Sequence, residues 1–545
     1  MHIVALLVLA ASACWAGPEL LTNPGFEAGD GWSANAWGQP GPVVSYADGP
    51  AAHGGRRCQR VTVTALPERS GFIYRQPFTF VAGHTYRARL WLRSADAAQV
   101  QVLLRRAGQW YEPAAARLVT LGPEWRQVEL VGGFGGEDVP GFVGVSWRGL
   151  GTVDLDDASL QDISDEVLRQ PTPAQPLDQR FFGLHLNKLG SHNVWPALGQ
   201  GTLRLWDTGT TWDALEPKPG EWNFARLDYY LEHVRRNAPG TRVIMTLGIS
   251  PKWAADPAAR DAYGGKAAPP LDLANWRRYV RTLAERYRGR ITCWEPWNES
   301  DYGGFFSGGP AAMLPLARAA YEELKAVDPA NVVLTPNVTR AGLGWLDEYL
   351  ALGGGQVADV ISFHRYPSGQ PELDVPEYEA FRALVAAHGL AGKPLWNTEG
   401  AIDHRAADSS ADQAAAVVRA WLVQWAQGIT CFCWYCWDIH WPEGTSLGTS
   451  LTGPELSPAG RALARAVAWV DGWTLAERRV DDGLWQLDLR RDGQRRLLVW
   501  RPGGPGAWSP LPELRGGRAR SLDGADTPIG ERVEVGPSPL LLSPR

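Results

Sequence analysis

Two rhythms of apolar and polar residues divide the chain. Residues 60–64, 86–93, 99–103 and 126–130 alternate apolar with polar side chains, and turn-forming residues rather than helical periods separate them. Alternation at every second position gives each strand one apolar face, so residues 19–162 are expected to form an antiparallel β-sandwich. In 86–93 one face carries Tyr86, Ala88, Leu90 and Leu92, and the other carries Arg87, Arg89, Trp91 and Arg93. Pro171, Pro173 and Pro176 mark 163–177 as a linker. From 178 to 470 short apolar runs at 181–187, 202–207, 242–248, 331–337 and 429–438 alternate with stretches of helical period, the order of a parallel (β/α)8 TIM barrel. One of those helices, 272–288, has Asp272 at its capping position and Gly289 as its stop. Its apolar face is Leu273, Trp276, Tyr279, Val280, Leu283 and Tyr287. Another, 412–427, is capped by Gly428. Alternation returns at 485–489, 496–500 and 532–535, which predicts a small C-terminal β-sandwich over 471–545.

Composition narrows the class. With 545 residues, 45% hydrophobic and 21% charged, the chain is a soluble, multidomain globular protein. A net charge of -6 without a polybasic run argues against a nucleic-acid partner. The unusual figure is 27 tryptophans, whose indole faces either stack on sugar rings or pack a Trp-rich core. Residues 3–11 are apolar and small residues follow, which reads as a secretory signal peptide at 1–16 and places the protein outside the cell or in the periplasm. Cleavage before Cys14 would instead leave a cysteine able to carry a lipid anchor. No later run is long and apolar enough for a transmembrane helix. The six cysteines form no disulfide framework. Cys431, Cys433 and Cys436 have no second Cys/His pair at zinc spacing, so they are expected as core thiols.

Chemistry concentrates at three strand ends. The run 291–301 is a buried strand that finishes Trp297-Asn298-Glu299, and Gly303 and Gly304 follow as a loop. The run 393–400 repeats the arrangement and finishes Trp396-Asn397-Thr398-Glu399-Gly400. Between them, 359–367 ends in His364-Arg365-Tyr366. The C-terminal end of the strands is the catalytic face of an α/β barrel. A single Glu is usually a solvated surface group, but two at such ends, framed by tryptophans, suggest an acid/base and nucleophile pair.

This combination resembles the clan A glycoside hydrolases, retaining enzymes on a (β/α)8 barrel, over residues 180 to 470. The resemblance implies a polysaccharide or oligosaccharide substrate with β-linked bonds, and no metal or redox cofactor for catalysis. It implies that Glu299 is the acid/base and Glu399 the nucleophile. Asn298, His364 and Tyr366 would contact the sugar or the nucleophile, and Arg204 on strand two would hydrogen-bond the nucleophile. Trp437 would floor the sugar subsite, with Trp434 as the alternative. Ser300 follows Glu299 where many clan members have proline, and the Trp-rich form with a flanking β domain looks closest to glycoside hydrolase family 39. Catalysis requires the two carboxyl pKa values to be pushed apart, Glu299 upward by its negative neighbour and Glu399 held ionised by Arg204 or Tyr366. The reading from another class is a non-catalytic carbohydrate-binding protein on the same barrel, which loss of either glutamate would have signalled.

Residues 20–27, 86–93 and 153–160 resemble carbohydrate-binding modules of the jelly-roll type. The resemblance implies a glycan ligand and a structural calcium, for which Glu27 with Asp156 or Asp157 would supply oxygens. The alternative is that these acids are surface charges. Trp91, which keeps polar company on its strand, and Trp110 are candidate sugar platforms, with Trp37 and Tyr111 as equal candidates and packing roles as the alternative.

Overall fold

The computed structural model describes residues 17–108, 112–170, 174–258, 264–402, 410–438, 445–450 and 453–545. The expected signal peptide with Cys14, and the candidates Trp110 and Tyr111, lie outside the described residues. The chain divides into two compact units, 1–170 with 373–389, and 171–372 with 390–545.

In the first unit, strands form two five-stranded antiparallel sheets. One runs in the order Ser33–Trp37, Gly71–Phe80, Val139–Trp147, Gln99–Arg106, Pro113–Thr120. The other runs Val43–Asp48, Gln59–Ala65, Gly151–Asp162, Tyr86–Arg93, Arg126–Gly132. Their apolar faces share one core, to which Val61, Leu90, Leu92, Val102, Val145 and Leu155 contribute. Tyr86, Ala88, Leu90 and Leu92 are buried and Arg87, Arg89, Trp91 and Arg93 half-buried, the split that a two-residue period dictates. The helix Val375–Ala387 belongs to this unit and packs on the strands Pro113–Thr120 and Arg126–Gly132, with Glu377 accepting the Gly135 N–H at 3.1 Å.

The stretch 163–177 is more ordered than a linker. A helix at Ser164–Arg169 buries Val167, and Glu166 receives Arg87 at 2.7 Å. Gln175–Pro176 pairs with Thr474 and Leu475 at the edge of a sheet, a place where proline is tolerated because no ladder N–H is needed from it. The proline pattern marks where a helix must stop; it does not rule out an edge strand.

The second unit holds the barrel. Its strands are β1 (Phe182–Leu184), β2 (Thr202–Leu205), β3 (Arg242–Leu247), β4 (Cys293–Pro296), β5 (Val332–Val333), β6 (Ile361–His364), β7 (Leu395–Gly400) and β8 (Ile429–Trp434). They are parallel and hydrogen-bonded in the order β5-β4-β3-β2-β1-β8-β7-β6. A parallel bridge between Leu334 and Val360 joins the two ends of that order and closes the barrel. Strands buried on both faces read as continuous apolar runs, which is why these segments stand out in the sequence. Ile244, Cys293, Leu334, Val360, Trp396, Cys431 and Cys433 pack together in the core. Cys58, Cys293, Cys431, Cys433 and Cys436 are buried free thiols.

The helices of nine or more residues described in this unit are α1 (Ala225–Asn237), α2 (Leu273–Arg286), α3 (Gly309–Val327), α4 (Leu343–Ala351), α5 (Ser410–Ala426) and α6 (Pro458–Val470). In α2 the Asp272 carboxylate accepts the Ala274 N–H at 2.8 Å, and Trp276, Tyr279, Val280 and Leu283 are buried. The β1–β2 connection departs from the expected βα alternation. Residues 185–201 contain no helix, and Gly190, Pro196 and Gly199 interrupt the run. Asp438, after β8, holds it by accepting the Asn187 and Lys188 N–H groups at 2.7 Å.

Beyond α6 the expected small sandwich takes the form of a sheet, seven-stranded with Gln175–Pro176 at its edge, and a two-stranded ribbon, Gly506–Trp508 with Val533–Val535. Leu497, Val499, Leu514, Ile529 and Leu542 form their common core. No helix among the described residues is long and apolar enough to cross a membrane.

Candidate active site

Glu299 lies just past β4, and Glu399 is the penultimate residue of β7. The chain around Glu299 is held in the left-handed region, with φ of +85° at Trp297 and +42° at Glu299. Asp207 after β2 and Ile249 after β3 share it, at +57° and +59°. Non-glycine residues keep this conformation only where their surroundings over-determine it. Asn337, just past β5 and fully buried, supplies much of that constraint. Its Oδ1 accepts the Glu299 N–H at 2.6 Å, its Nδ2 donates to the Trp297 carbonyl at 3.2 Å, and its own carbonyl accepts the Ser300 N–H at 2.9 Å. The Trp297 indole lies against Gly248, where a β-carbon would stand 2.8 Å from the ring. An Asn337→Ala protein strands the Glu299 N–H and the Trp297 carbonyl, and denaturant unfolding should show a loss of about 1–3 kcal/mol.

The two carboxylates have unlike partners. Glu399 Oε1 accepts the Tyr366 hydroxyl at 2.8 Å, and its Oε2 accepts Arg204 Nη1 at 2.8 Å. Glu299 Oε1 has one such neighbour, His364 Nδ1 at 3.0 Å. An oxygen of each glutamate and a ring nitrogen of His364 lie within 4.8 Å of one another. The Glu299 side chain keeps 17% of its surface exposed, against 9% for Glu399. That trio also has metal-ligand spacing, but both Glu399 oxygens already receive donors and one donor is a guanidinium, which opposes a second cation there.

Arg204 is 0% exposed and serves three acceptors. Besides Glu399 it donates from Nη2 to Asn298 Oδ1 at 2.7 Å, and from Nε to Glu295 Oε2 at 2.8 Å, with Nη2 of the same group 2.6 Å from that oxygen. Glu295, also 0% exposed, is met on its other oxygen by Ser362 at 2.5 Å and Thr398 at 2.8 Å. Burial raises the Glu295 carboxyl, and Arg204 and then His364 lower it by more, so it rests below the ordinary value. Burial and the Glu399 charge push the Tyr366 hydroxyl well above its ordinary value, which keeps it a donor; the ring remains 41% exposed although its hydroxyl end is enclosed. His185, buried between β1 and β7, is held well below its ordinary value by burial and by Arg204.

At Glu299 burial raises the carboxyl, but His364 and then Arg204 pull harder and leave it lowered. At Glu399 burial prevails over His364 and Arg204, the charge of Glu299 adds to it, and the carboxyl is raised. This is the reverse of the expected order. The reason is that His364 lies 3.0 Å from Glu299 and lowers it, while Glu399 is the more deeply buried and has the Glu299 charge beside it.

Glu299, Glu399, Arg204, Asn298, His364 and Tyr366 are therefore brought together. Glu295, Asn337 and Tyr435 join them without having been singled out. Tyr435 donates to Asp207 at 2.7 Å and sets its ring edge-on to His185, 5.0 Å between centroids. A visible signal for Glu295 was a charged residue at inward parity in a strand whose neighbours are apolar. Trp437 is 2% exposed and packed against Gly448, and Trp434 is 0% exposed, so neither offers an open face of the kind expected of a subsite floor.

In the first unit Trp91 is covered by His53, stacked at 3.9 Å, so the platform expected there is occupied on one face. His53 in turn meets Asp157 Oδ2 at 2.6 Å. Glu27 Oε1 accepts the N–H groups of Arg56 and Arg57 at 2.6 and 3.1 Å, and Asp156 Oδ2 those of His53 and Gly54 at 2.6 and 3.1 Å. Oxygens turned toward N–H donors hold a loop in place. One oxygen each of Glu27 and Asp156 is used in this way, while Asp157 meets the His53 ring.

No protein-family model matches the chain. Among solved structures it is similar to a family 39 glycoside hydrolase from Bacteroides cellulosilyticus, with TM-score 0.56 and 16% identity over 82% of this chain and 95% of that one. A family 30 endoxylanase from Clostridium papyrosolvens matches with TM-score 0.51 and 15% identity, covering 69% of this chain and 98% of that one. A family 30 xylanase from Clostridium acetobutylicum matches with TM-score 0.50 and 12% identity, covering 68% and 97%. At such identities the likeness is one of architecture: the barrel has the fold of the clan A glycoside hydrolases.

Proposed function

We propose that the chain is a retaining glycoside hydrolase that cleaves β-linked bonds of a polysaccharide or oligosaccharide by double displacement. The observation that carries this reading is the pair Glu299 and Glu399, at the ends of β4 and β7, with oxygens within 4.8 Å of each other and unlike partners. Retaining enzymes set their carboxyl groups about 5–5.5 Å apart, and inverting enzymes leave about 6.5–9.5 Å for a water. Glu399, held by Arg204 and Tyr366, attacks the anomeric carbon, while Glu299 gives its proton to the departing oxygen as the glycosidic bond breaks. Glu299 then takes a proton from water, the water oxygen attacks the same carbon from the face the leaving group vacated, and the Glu399 carboxylate is released.

Partners rather than the order of titration favour this division of roles. His364 Nδ1, 3.0 Å from Glu299 Oε1, stands where a proton passes to or from that carboxyl, while both Glu399 oxygens are taken by Tyr366 and Arg204. The greater exposure of Glu299 lets it exchange that proton with water. Arg204 occupies Asn298 Oδ1, so the amide turns its Nδ2 donor toward a sugar hydroxyl. The first unit is read as a jelly-roll carbohydrate-binding module, and the apolar leader as the signal that exports the protein. The fold shared with family 39 and family 30 enzymes supports the reading.

Stereochemistry tests it. Proton NMR of the first product from a β-linked substrate should show the β anomer before mutarotation. An α anomer at the earliest time point would overturn the double displacement.

A further inference from the structure

One face of the first unit carries a groove unrelated to the carboxylate pair. In the strand Gly71–Phe80, Phe72 and Tyr74 point into the shared core, so Ile73 and Arg75 face outward. Ile73 and Phe142, 1% and 2% exposed, floor a groove of about 440 Å³ on that outward side. Trp37 lines it and is 44% exposed. Its register partner across the strands is Gly71, where a β-carbon would stand 2.1 Å from the indole. The absent side chain lets the ring lie flat on the strand, backed on one face and open on the other. The Arg75 and Arg105 guanidinium groups lie 4.9 and 5.8 Å from the Phe142 ring centroid. No carboxylate pairs with Arg75 among the described residues, and Asn35 adds an amide to the lining.

An open indole face suits the C–H surface of a sugar ring, and a guanidinium with its donors unspent suits a carboxylate or sulfate. Phe142 holds Arg75 in place without neutralising it. We propose that this groove binds an acid-bearing glycan, with a sugar ring stacked on Trp37 and its anionic group on Arg75. The proposal rests on the reading of the first unit as a glycan-binding module and adds to it the location and the charge of the ligand. The net charge of -6 means that bulk attraction of polyanions does not produce the effect.

Affinity electrophoresis of the full chain tests it in gels containing polygalacturonate, dextran sulfate or neutral arabinoxylan. At least one polyanion should retard the protein at about tenfold lower concentration than arabinoxylan, and which one does so separates carboxylate from sulfate. Arg75→Gln and Trp37→Ala should each weaken that retardation about tenfold, and Arg75→Lys should keep most of it. Arg126→Gln, on the other sheet, should change nothing. Equal weakening by Arg126→Gln, or no effect of Arg75→Gln, overturns the groove. Retardation by arabinoxylan alone overturns the anionic ligand while sparing the glycan-binding reading, and no retardation in any gel overturns both.

Discussion

Turnover by a Glu399→Gln protein should fall by about four powers of ten or more, with the circular dichroism spectrum unchanged. The amide keeps the shape of the carboxyl and can still accept from Tyr366 or Arg204, but it cannot attack the anomeric carbon. Loss of only a few-fold would mean that another carboxylate is the nucleophile. Azide separates the two glutamates further. In Glu299→Ala the glycosyl ester on Glu399 still forms with a good leaving group, and azide should intercept it to give a β-glycosyl azide. In Glu399→Ala the small anion fills the vacated nucleophile position on the opposite face and should give an α-azide. Two azides of the same configuration would contradict the assignment, whatever the loss in rate.

Much of this site was legible because parallel strands buried on both faces leave uninterrupted apolar runs, and the carboxylates sit where those runs stop. Glu299, His364, Tyr366 and Glu399 were found that way, and Arg204 only through the resemblance to clan A enzymes. What stayed hidden depends on side chains meeting across the barrel. Glu295 and Glu299 stand four residues apart in one motif, and sequence does not reveal that the first turns inward to take the Arg204 guanidinium. The expected order of the carboxyl pKa values failed because His364, at the end of β6, pulls on Glu299 while burial prevails at Glu399. Asn337 read only as the end of strand five, because its two amide contacts are to the chain beyond β4. Trp437 failed as an open platform because burial of an aromatic after β8 depends on what covers it. Glu27 and Asp156 were read for charge, yet an oxygen of each accepts N–H groups of residues 53–57, a loop whose path has no period to betray it.

Removing the Arg204 charge should cost about 3–5 kcal/mol, the largest stability loss expected of any single change near the site. In Arg204→Met the side chain still fills the barrel, but Glu295, at 0% exposure, loses its counter-charge and Glu399 loses one of its two donors. The pH dependence identifies the cause. In the native protein the Glu295 carboxyl lies below the ordinary 4.5, so the stability it contributes is present above that pH and is lost as pH falls through the lowered value. Without Arg204 only His364 and the Ser362 and Thr398 hydroxyls oppose burial, and the carboxyl should rise above its unfolded value. The sign then inverts: the folded state gains as the pH falls through that raised value and Glu295 takes up a proton. The deficit of Arg204→Met, measured by urea unfolding, should therefore be smaller at pH 5 than at pH 7. Adding Glu295→Gln removes the stranded charge, so the double variant should be more stable at pH 7 than Arg204→Met alone, and its deficit should depend less on pH. A deficit that is additive across the two changes, or that deepens on acidification, would show that packing rather than the buried charge governs the centre of the barrel.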